Sequence, residues 1–342
     1  MTAPVKLADP IISVVIPTFN EAKFIESTLN QIHEQTYPSA LVEILVVDGG
    51  STDGTCEIVK NWKEKSGRAI TLLLNPKKLS SSARNIGLAA ATGEYILFID
   101  AHVYIPSNQL IEDMVSVAKQ ENALVLGRAQ PLTPPTLSYF QSTVAGVRNS
   151  KLGHSTKSFI YQNYEGWVSP VSIGAMYHCS IFTDVGLFDE NFDAAEDVEF
   201  NFRLEQKGYR AYISPRFKVL YYPRNNFYEL TRQMFRYGKG RAKFTGKHLN
   251  GFQAEIFVPI FVLLLVAGTF SLALHEKTIF LFMVLLSLGY LLTLIIFFRV
   301  FSKKTLSLLA PACLLAIHLG LAIGLLIGAL GTLPKKERLK NG

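Results

Sequence analysis

Glu43–Gly54 reads EILVVDGGSTDG. Five residues in which Ile, Leu and Val predominate end on an acid, and a glycine-rich turn follows. An apolar run with no alternation, bounded by turn residues, is the pattern of a parallel strand covered on both faces. Ser51 and Thr52 then supply capping side chains for a helical pattern over Asp53–Lys65. The same unit recurs on either side. Ile11–Ile16, Thr71–Leu74, Tyr95–Ile99 and Ala123–Leu126 are further short apolar or β-branched runs. Between them lie helical patterns: Ile25, Leu29 and Ile32 within Glu21–Gln35, and Ala83, Ile86 and Ala90 within Ser81–Ala91. Alternating strands and helices predict an α/β domain of three layers around a mostly parallel sheet. Pro131–Pro135 reads as a loop, and there is no internal repeat.

Open α/β sheets bind ligands beyond the carboxyl ends of their strands. The first strand runs into Pro17–Thr18–Phe19–Asn20–Glu21, the second into Asp48–Gly49–Gly50, and the fourth into Asp100–Ala101–His102. Three polar clusters at strand ends converge on one crevice. Asp48 either accepts from a base or ribose, or shapes the turn before the next helix; Asp53 has the same two readings. Gly49 and Gly50 permit close backbone approach. Asp100 and His102 are two metal-ligating side chains one residue apart, and an imidazole beside a carboxylate suits Mn²⁺ better than Mg²⁺. The alternative is a loop aspartate and a hydrogen-bonded histidine. Arg84 stands near the predicted start of a helix, where a guanidinium and a helix amino terminus together suit a diphosphate. Glu196 and Asp197 open the helical pattern Val198–Gln206. They either complement the helix dipole or include a general base.

The chain has 342 residues, roughly two domains of about 150 residues each. With 49% hydrophobic and 18% charged residues it is neither disordered nor fibrous. Cys56, Cys179 and Cys313 are scattered, which excludes a disulfide scaffold and a zinc ribbon. The start, MTAPVKLADP, has no apolar core and does not read as a signal peptide. The net charge of +7 is uneven. Residues 1–223 carry 19 Lys and Arg against 23 Asp and Glu, residues 224–254 carry 7 against 1, and residues 255–342 carry 8 against 3. Basic residues thus flank one region, which favours an anionic membrane surface over nucleic acid as partner.

That region is strongly apolar. Residues 256–274 and 278–298 are uncharged runs of 19 and 21 residues, each near the length needed to cross a bilayer. A third run, Thr305–Pro334, is uncharged over 30 residues and contains Pro311. The basic segments Arg299–Lys304 and Lys335–Lys340 both favour the cytoplasm, so the third run either re-enters or breaks that rule. Ahead of these runs, Leu230, Met234 and Tyr237 share one helical face of Glu229–Phe244 and Arg232, Arg236, Lys239 and Lys243 another, the pattern of a helix lying among headgroups. Gly238 and Gly240 weaken it as a helix. The expected organisation is a catalytic domain over 1–225 facing the cytoplasm, an interfacial segment over 226–252, and a multi-pass membrane region over 253–334. Its spans are expected at about 256–274, 278–298 and 305–333, and a basic tail follows over 335–342.

Five segments in order, VVIPTFNEAKFIESTLNQI, VVDGGSTDGT, ARNIGLAAATGEYILFIDAH, AAEDVEFNFRL and QMFRYGKGR, resemble glycosyltransferase family 2. Within it the chain is most similar to the succinoglycan-biosynthesis glucosyltransferase subgroup, which shares Asp-Ala-His and Arg-Tyr-Gly-Lys-Gly-Arg. The resemblance covers about residues 11–245. It implies a GT-A fold, a nucleoside-diphosphate sugar donor of the UDP-glucose type, a divalent cation (Mn²⁺ or Mg²⁺) and inversion at the anomeric carbon. By the same resemblance, Pro17, Phe19 and Glu21 belong to the nucleotide-contacting loop, Asp48 contacts the base, and Arg84 lies near the diphosphate. Asp100 and His102 form the metal motif, and Asp197 is the base beside Glu196. Gln233, Arg236 and Tyr237 match a Gln-x-x-Arg-Trp element near acceptor and diphosphate. Two departures matter: His102 replaces the usual second Asp, and Tyr237 replaces Trp in an element associated with processive synthases. The small membrane part is also a poor polymer channel, so transfer of one sugar is expected. A polyprenyl-linked saccharide is the expected acceptor, and Gly153–Pro170, with Tyr161, Tyr164 and Trp167, reads either as an acceptor loop or as packing aromatics. The rival readings are a polyprenyl-phosphate sugar synthase and a non-catalytic nucleotide-sugar-binding scaffold.

Overall fold

The computed structural model describes residues 9–150, 159–171, 173–248 and 309–332, with isolated helical positions at 260, 268, 281, 284, 288 and 292. Apart from those positions, the expected spans over 256–274 and 278–298 and the basic tail lie outside the described residues. The chain forms two compact units, residues 1–136 with 156–222, and residues 137–155 with 223–342. Residues 139–148, inside the domain expected over 1–225, group with the helices of the second unit.

The first unit is built on an eight-stranded sheet. β1 (Ile12–Thr18) is flanked by β2 (Val42–Asp48) and β4 (Tyr95–Phe98), and β3 (Ile70–Leu74) lies outside β2, all four parallel. β8 (Gly174–His178) runs antiparallel to both β4 and β6 (Val125–Gly127). β9 (Ala211–Ile213) is parallel to β6, and β7 (Gly166–Val168) closes the edge antiparallel to β9. A small second sheet pairs β5 (Val103–Tyr104) with β10 (Leu220–Tyr221).

The central strands are buried on both faces, as their unbroken apolar runs require. Val14, Ile16, Ile44, Val46 and Leu97 face one core with α1 (Ile25–His33), α2 (Thr55–Ser66) and α4 (Leu110–Glu121). Val15, Leu45, Val47, Ile96 and Phe98 face the other with α3 (Ser80–Ala90), α6 (Ser180–Val185) and α7 (Glu196–Gln206). α3 sits close to the sheet because Gly87 has no side chain; a Cβ there would lie 2.3 Å from Val15 Cγ1.

α1 begins at Ile25 and not at Glu21, after a turn in which Glu21 O accepts from Phe24 N and Ile25 N. Asn20 takes a left-handed φ of 57°. The backbone N–H groups of Asn20, Glu21 and Ala22 donate to Ser51 Oγ, Thr55 Oγ1 and Asp53 Oδ2 at 2.7, 2.9 and 2.9 Å. The loop after β1 is thus tied to the loop after β2.

The second unit contains α5 (Tyr139–Arg148), α8 (Phe227–Lys247) and α9 (Ala310–Thr332). α5 opens with a capping box between Ser138 and Gln141, and Gln141 Nε2 donates to Pro223 O at 2.8 Å. α8 is a continuous helix despite Gly238 and Gly240. The reason is packing: a Cβ on Gly238 would stand 2.3 Å from Leu321 O of α9. From α9, Gly320 meets Thr231 O, Gly324 meets Phe235 O, and Gly328 meets Ala242 and Lys239. α8 and α9 therefore run side by side in the same direction. α9 is long and apolar enough by composition to cross a membrane, with a mean hydropathy of 2.4 over its best window.

Candidate functional site

β1 to β4 are parallel, so their carboxyl ends share one edge of the sheet. The register sets Thr18 beside Asp48 and Asp48 beside Leu74. Asp48 is buried, and its own turn fills its carboxylate. Oδ2 accepts from the N–H groups of Gly50 and Ser51 at 2.7 and 2.8 Å. Oδ1 accepts from Ser51 Oγ at 2.6 Å and Thr18 Oγ1 at 3.3 Å. Burial alone would raise this carboxyl, but hydrogen bonds from Ser51, Cys56 and Gly50 outweigh it and hold Asp48 below the ordinary value. Of its two readings, the one visible here is the turn-shaping one. Asp53 also pins the loops: Oδ1 accepts from Thr55 N and Oγ1, while Oδ2 takes the Ala22 N–H.

Pro17 is the penultimate residue of β1, and Phe19 projects from the loop behind it, 47% exposed. The Phe19 ring packs over Gly49, and Lys78 Nζ lies 5.7 Å from its centroid. Asn75, at the end of β3, was not singled out in the sequence. It is buried, donates N–H to Asp48 O at 2.7 Å and Nδ2–H to Leu79 O at 2.9 Å, and leaves Oδ1 without a hydrogen-bond partner.

One crevice wall is a charge cluster. Arg84, in the second turn of α3, has its guanidinium 4.9 Å from the Phe98 ring centroid and 5.5 Å from that of Phe188. Its Nε lies 3.5 Å from Glu196 Oε1 and its Nη2 3.9 Å from Asp100 Oδ1. Burial would weaken its basicity; Glu196, Asp100 and Asp197 overcome that and raise it. Glu196 and Asp197, adjacent at the start of α7, sit in different environments. Glu196 is buried, and its carboxyl is pushed up by burial and by neighbouring Asp197 against the pull of Arg84. Glu196 thus faces the Arg84 guanidinium. Asp197 is half-buried, with Oδ1 accepting from Val198 N at 2.8 Å. Ala195, which precedes them, takes a left-handed φ of 64°, a costly conformation for a residue with a Cβ.

Arg128, just past β6, was also missed by the sequence reading. It is 3% exposed. Nη1 donates to Phe98 O at 3.1 Å and Nε has no partner. Burial pushes its basicity down to about 10, with Asp100 opposing. No motif or spacing marks it, and only the crossover from β4 through β8 to β6 brings it near Asp100. Trp167 belongs to edge strand β7 and not to a loop. It packs edge-on against Tyr212 at 5.5 Å. Four inter-strand steps, about 19 Å, separate β7 from β4, so Trp167 is set apart from the Asp100 crevice. Gln233, Arg236 and Tyr237 lie on α8 in the second unit, where Gln233 Nε2 donates to Tyr237 OH at 3.3 Å.

The cation implied by the resemblance tests the donor set. Among the described residues no group of three or more His, Cys, Asp or Glu stands ready to hold a metal ion. Asp100 offers a hard oxygen at the strand end, one-third exposed and touched only at long range by Arg84. His102 is engaged at both nitrogens. Nδ1 lies 2.8 Å from Glu21 Oε1 and Nε2 2.5 Å from Tyr221 OH. The antiparallel pairing of Val103 with Tyr221 places that hydroxyl. With Glu21 accepting from Nδ1–H, Nε2 is the lone-pair nitrogen, which is how a carboxylate orients a metal-binding histidine. His102 therefore ligates only by exchanging the Tyr221 hydroxyl. The set fits a divalent cation that takes most of its shell from phosphate oxygens and water.

The family model described as glycosyl transferase family 2 matches residues 13–185, and a second, glycosyl transferase family group 2, matches residues 135–327. The chain is 32% identical over 240 residues to the succinoglycan biosynthesis protein ExoA of Rhizobium meliloti, covering 69% of this chain and 70% of that protein. It is 31% identical over 236 residues to a dolichyl N-acetyl-α-D-glucosaminyl phosphate 3-β-D-2,3-diacetamido-2,3-dideoxy-β-D-glucuronosyltransferase of Methanococcus voltae, covering 67% of this chain and 72% of the relative. Among solved structures, the mannosyltransferase PcManGT from Pyrobaculum calidifontis, in complex with GDP-Man and Mn²⁺, superposes with a TM-score of 0.62 at 23% identity, covering 93% and 89% of the two chains. That likeness shows the fold, GT-A.

Proposed function

Since the chain belongs to glycosyl transferase family 2, we propose that it transfers one sugar from a nucleoside-diphosphate sugar to a saccharide carried on a polyprenyl lipid. The transfer inverts the anomeric carbon. The donor is of the UDP-glucose type. The chain works as a multi-pass membrane enzyme with its sheet unit in the cytoplasm, next to anionic lipids. The relatives named above support this reading, one serving succinoglycan biosynthesis and another acting on a dolichyl-phosphate-linked sugar. The observation that carries the chemistry is the contrast between Glu196, buried against Arg84, and Asp197, half-buried beside it.

In this mechanism Asp197 accepts the proton of the acceptor hydroxyl as its oxygen attacks C1 of the donor sugar. The bond from C1 to the diphosphate breaks on the opposite side. Negative charge grows on the departing oxygen, and cations already in place stabilise it. Arg84 supplies one, oriented by Glu196 and by the Phe98 and Phe188 rings. Arg128 supplies a second buried positive charge near Asp100. A divalent cation held by Asp100, with His102 after release of Tyr221, would neutralise further charge on the diphosphate. Asp48 and Asp53 hold the paired loops that carry Pro17, Phe19 and Glu21, so their task is to shape the nucleoside pocket. Gln233, Arg236 and Tyr237 are assigned to acceptor and diphosphate by their sequence motif.

The test is release of nucleoside diphosphate by lipid-reconstituted protein, across a panel of sugar nucleotides with Mn²⁺ or Mg²⁺ and polyprenyl-linked saccharides. Release should require one donor, the cation and the lipid acceptor. Asp197→Asn should keep donor affinity and lose turnover. Full turnover in that variant would remove Asp197 as the base, and donor binding without release by the wild type under every acceptor would favour the scaffold reading.

A further inference from the structure

We infer that α9 does not cross the bilayer, although it is long enough to do so. Paired with α8, it lies in the membrane plane and docks an apolar face onto an anionic lipid surface. The inference rests on the membrane association proposed above and deepens it.

The argument starts from the seam between the two helices. Gly320, Gly324 and Gly328 recur every four residues along one face of α9. They meet Thr231, Phe235, and then Lys239 with Ala242, in the same order along α8. Leu230 and Met234 extend the contact to Cys313, Leu314 and Ile317 near the start of α9. The two helices therefore share one orientation over most of their lengths. Whatever angle α9 makes with a bilayer, α8 makes nearly the same angle.

α8 carries Arg232, Arg236, Lys239, Arg241, Lys243 and Lys247 against the single acid Glu229. If α9 crossed the bilayer, Gly320 and Gly324 near its centre would sit at the midplane. The neighbouring stretch of α8, with Arg232, Arg236 and Lys239, would be drawn to that depth. Charged side chains on a helix at mid-bilayer are strongly disfavoured. Lying flat removes the conflict. Arg232 and Lys239 are exposed on α8, whereas α9 exposes Leu315, Ile323, Leu326, Ile327 and Leu330. The pair then meets a membrane as an interfacial helix does, with apolar side chains among the acyl chains and cations at anionic headgroups.

The sequence carries a second, independent sign. Arg299, Lys303 and Lys304 precede α9, and Lys335, Lys336, Arg338 and Lys340 follow it. Basic flanks favour the cytoplasmic side. A crossing helix would put the two clusters on opposite sides, and a flat one keeps both beside the cytoplasmic headgroups.

The test reads depth directly. The chain has two tryptophans, Trp62 and Trp167, both in the sheet unit. Leu315→Trp, Ile323→Trp and Leu330→Trp are made one at a time in the full chain. Each is reconstituted in phosphatidylcholine–phosphatidylglycerol vesicles whose acyl chains are brominated at a shallow or a deep carbon. The expected result is similar quenching of all three by the shallow bromines and little by the deep ones. Strong deep quenching confined to Ile323→Trp, with shallow quenching at the other two, would overturn the inference. Failure of the wild type to float with these vesicles would instead overturn the membrane association itself. Should a variant misfold, the unsubstituted chain with a carboxyl-terminal tag answers the same question. In inverted membrane vesicles, added protease should remove head and tag together, and a protected tag beside a digested head would mean that α9 crosses.

Discussion

The rim of the sheet and the seam between α8 and α9 hold together by opposite means. At the rim, polar groups fix one another. Asp48 collects four hydrogen bonds from its own turn and from Thr18, and the loop after β1 is tied to Ser51, Asp53 and Thr55. At the seam, glycines admit backbone against backbone, and a single methyl group has no room. The first arrangement is directional, so a change of one polar atom alters chemistry while the apolar layers beneath persist. The second is steric, so a change of volume alters the packing itself.

Rim and seam should therefore fail differently. The largest effect is expected at the rim, and in rate. Asp197→Asn removes the base proposed above, an expected loss of about 10²–10⁴ in kcat, with little change in melting temperature because Asp197 is half-buried. Comparable losses of rate and stability together would mean that this carboxylate is structural. Next comes the seam. A Cβ on Gly324 would lie 2.1 Å from Phe235 O, so Gly324→Leu forces α8 and α9 apart. Overpacking of this kind costs about 1–3 kcal/mol and occasionally more. Proteolysis of the lipid-bound protein should show the helical unit opening while donor affinity in the sheet unit is kept. Loss of donor affinity as well would mean that the two units depend on each other for folding.

Asp48→Asn stands third. Hydrogen bonds to a charged acceptor contribute about 1.5–3 kcal/mol, and an amide replaces one oxygen with a donor facing other donors. The sign with pH follows from the depressed carboxyl. The native protein binds this proton more weakly than the unfolded chain, so the contribution is fully present above the ordinary value of 3.8. It is lost as pH falls through the lower folded-state value. Denaturant titrations at neutral and acidic pH should show the gap between wild type and variant closing in acid. A gap that stays constant would mean that the turn does not depend on the charge.

The same contrast explains what was legible in the sequence. β1, β2 and β4 showed as unbroken apolar runs because both faces are covered, and the ends of β2 and β4 pointed to Asp48 and Asp100. The far half of the sheet did not. β7 and β9 have three residues each, too few for a periodicity to register. β8 enters between β4 and β6 from much later in the chain. That crossover is why Arg128 escaped notice. α5 belongs to the second unit, and its short amphipathic pattern does not reveal that it packs on helices. Gly238 argued against a helix for the reason that makes α8 pack: propensity counts the missing side chain as a loss, whereas the backbone of α9 needs the space. Spacing alone did not separate Glu196 from Asp197, and only the resemblance singled out Asp197; burial separates Glu196, beside Arg84, from the more exposed Asp197.

The smallest expected effect tests whether the rim stores strain for use. Ala195 sits at φ 64° immediately before Glu196 and Asp197, and a left-handed residue with a Cβ costs roughly 1–2 kcal/mol. Ala195→Gly relieves that cost but gives the unfolded chain more freedom, about 0.4–1 kcal/mol in the other direction. The net gain is about 0–1.6 kcal/mol, a rise of a few degrees for a unit of this size. The informative reading is the rate measured beside it. If the forced turn holds Asp197 at the angle its proton transfer needs, the glycine variant melts higher and turns over more slowly, with donor affinity unchanged. If kcat stays level while the melting temperature rises, the turn serves only to start α7, and the position of Asp197 is set by the burial of Glu196 against Arg84 alone.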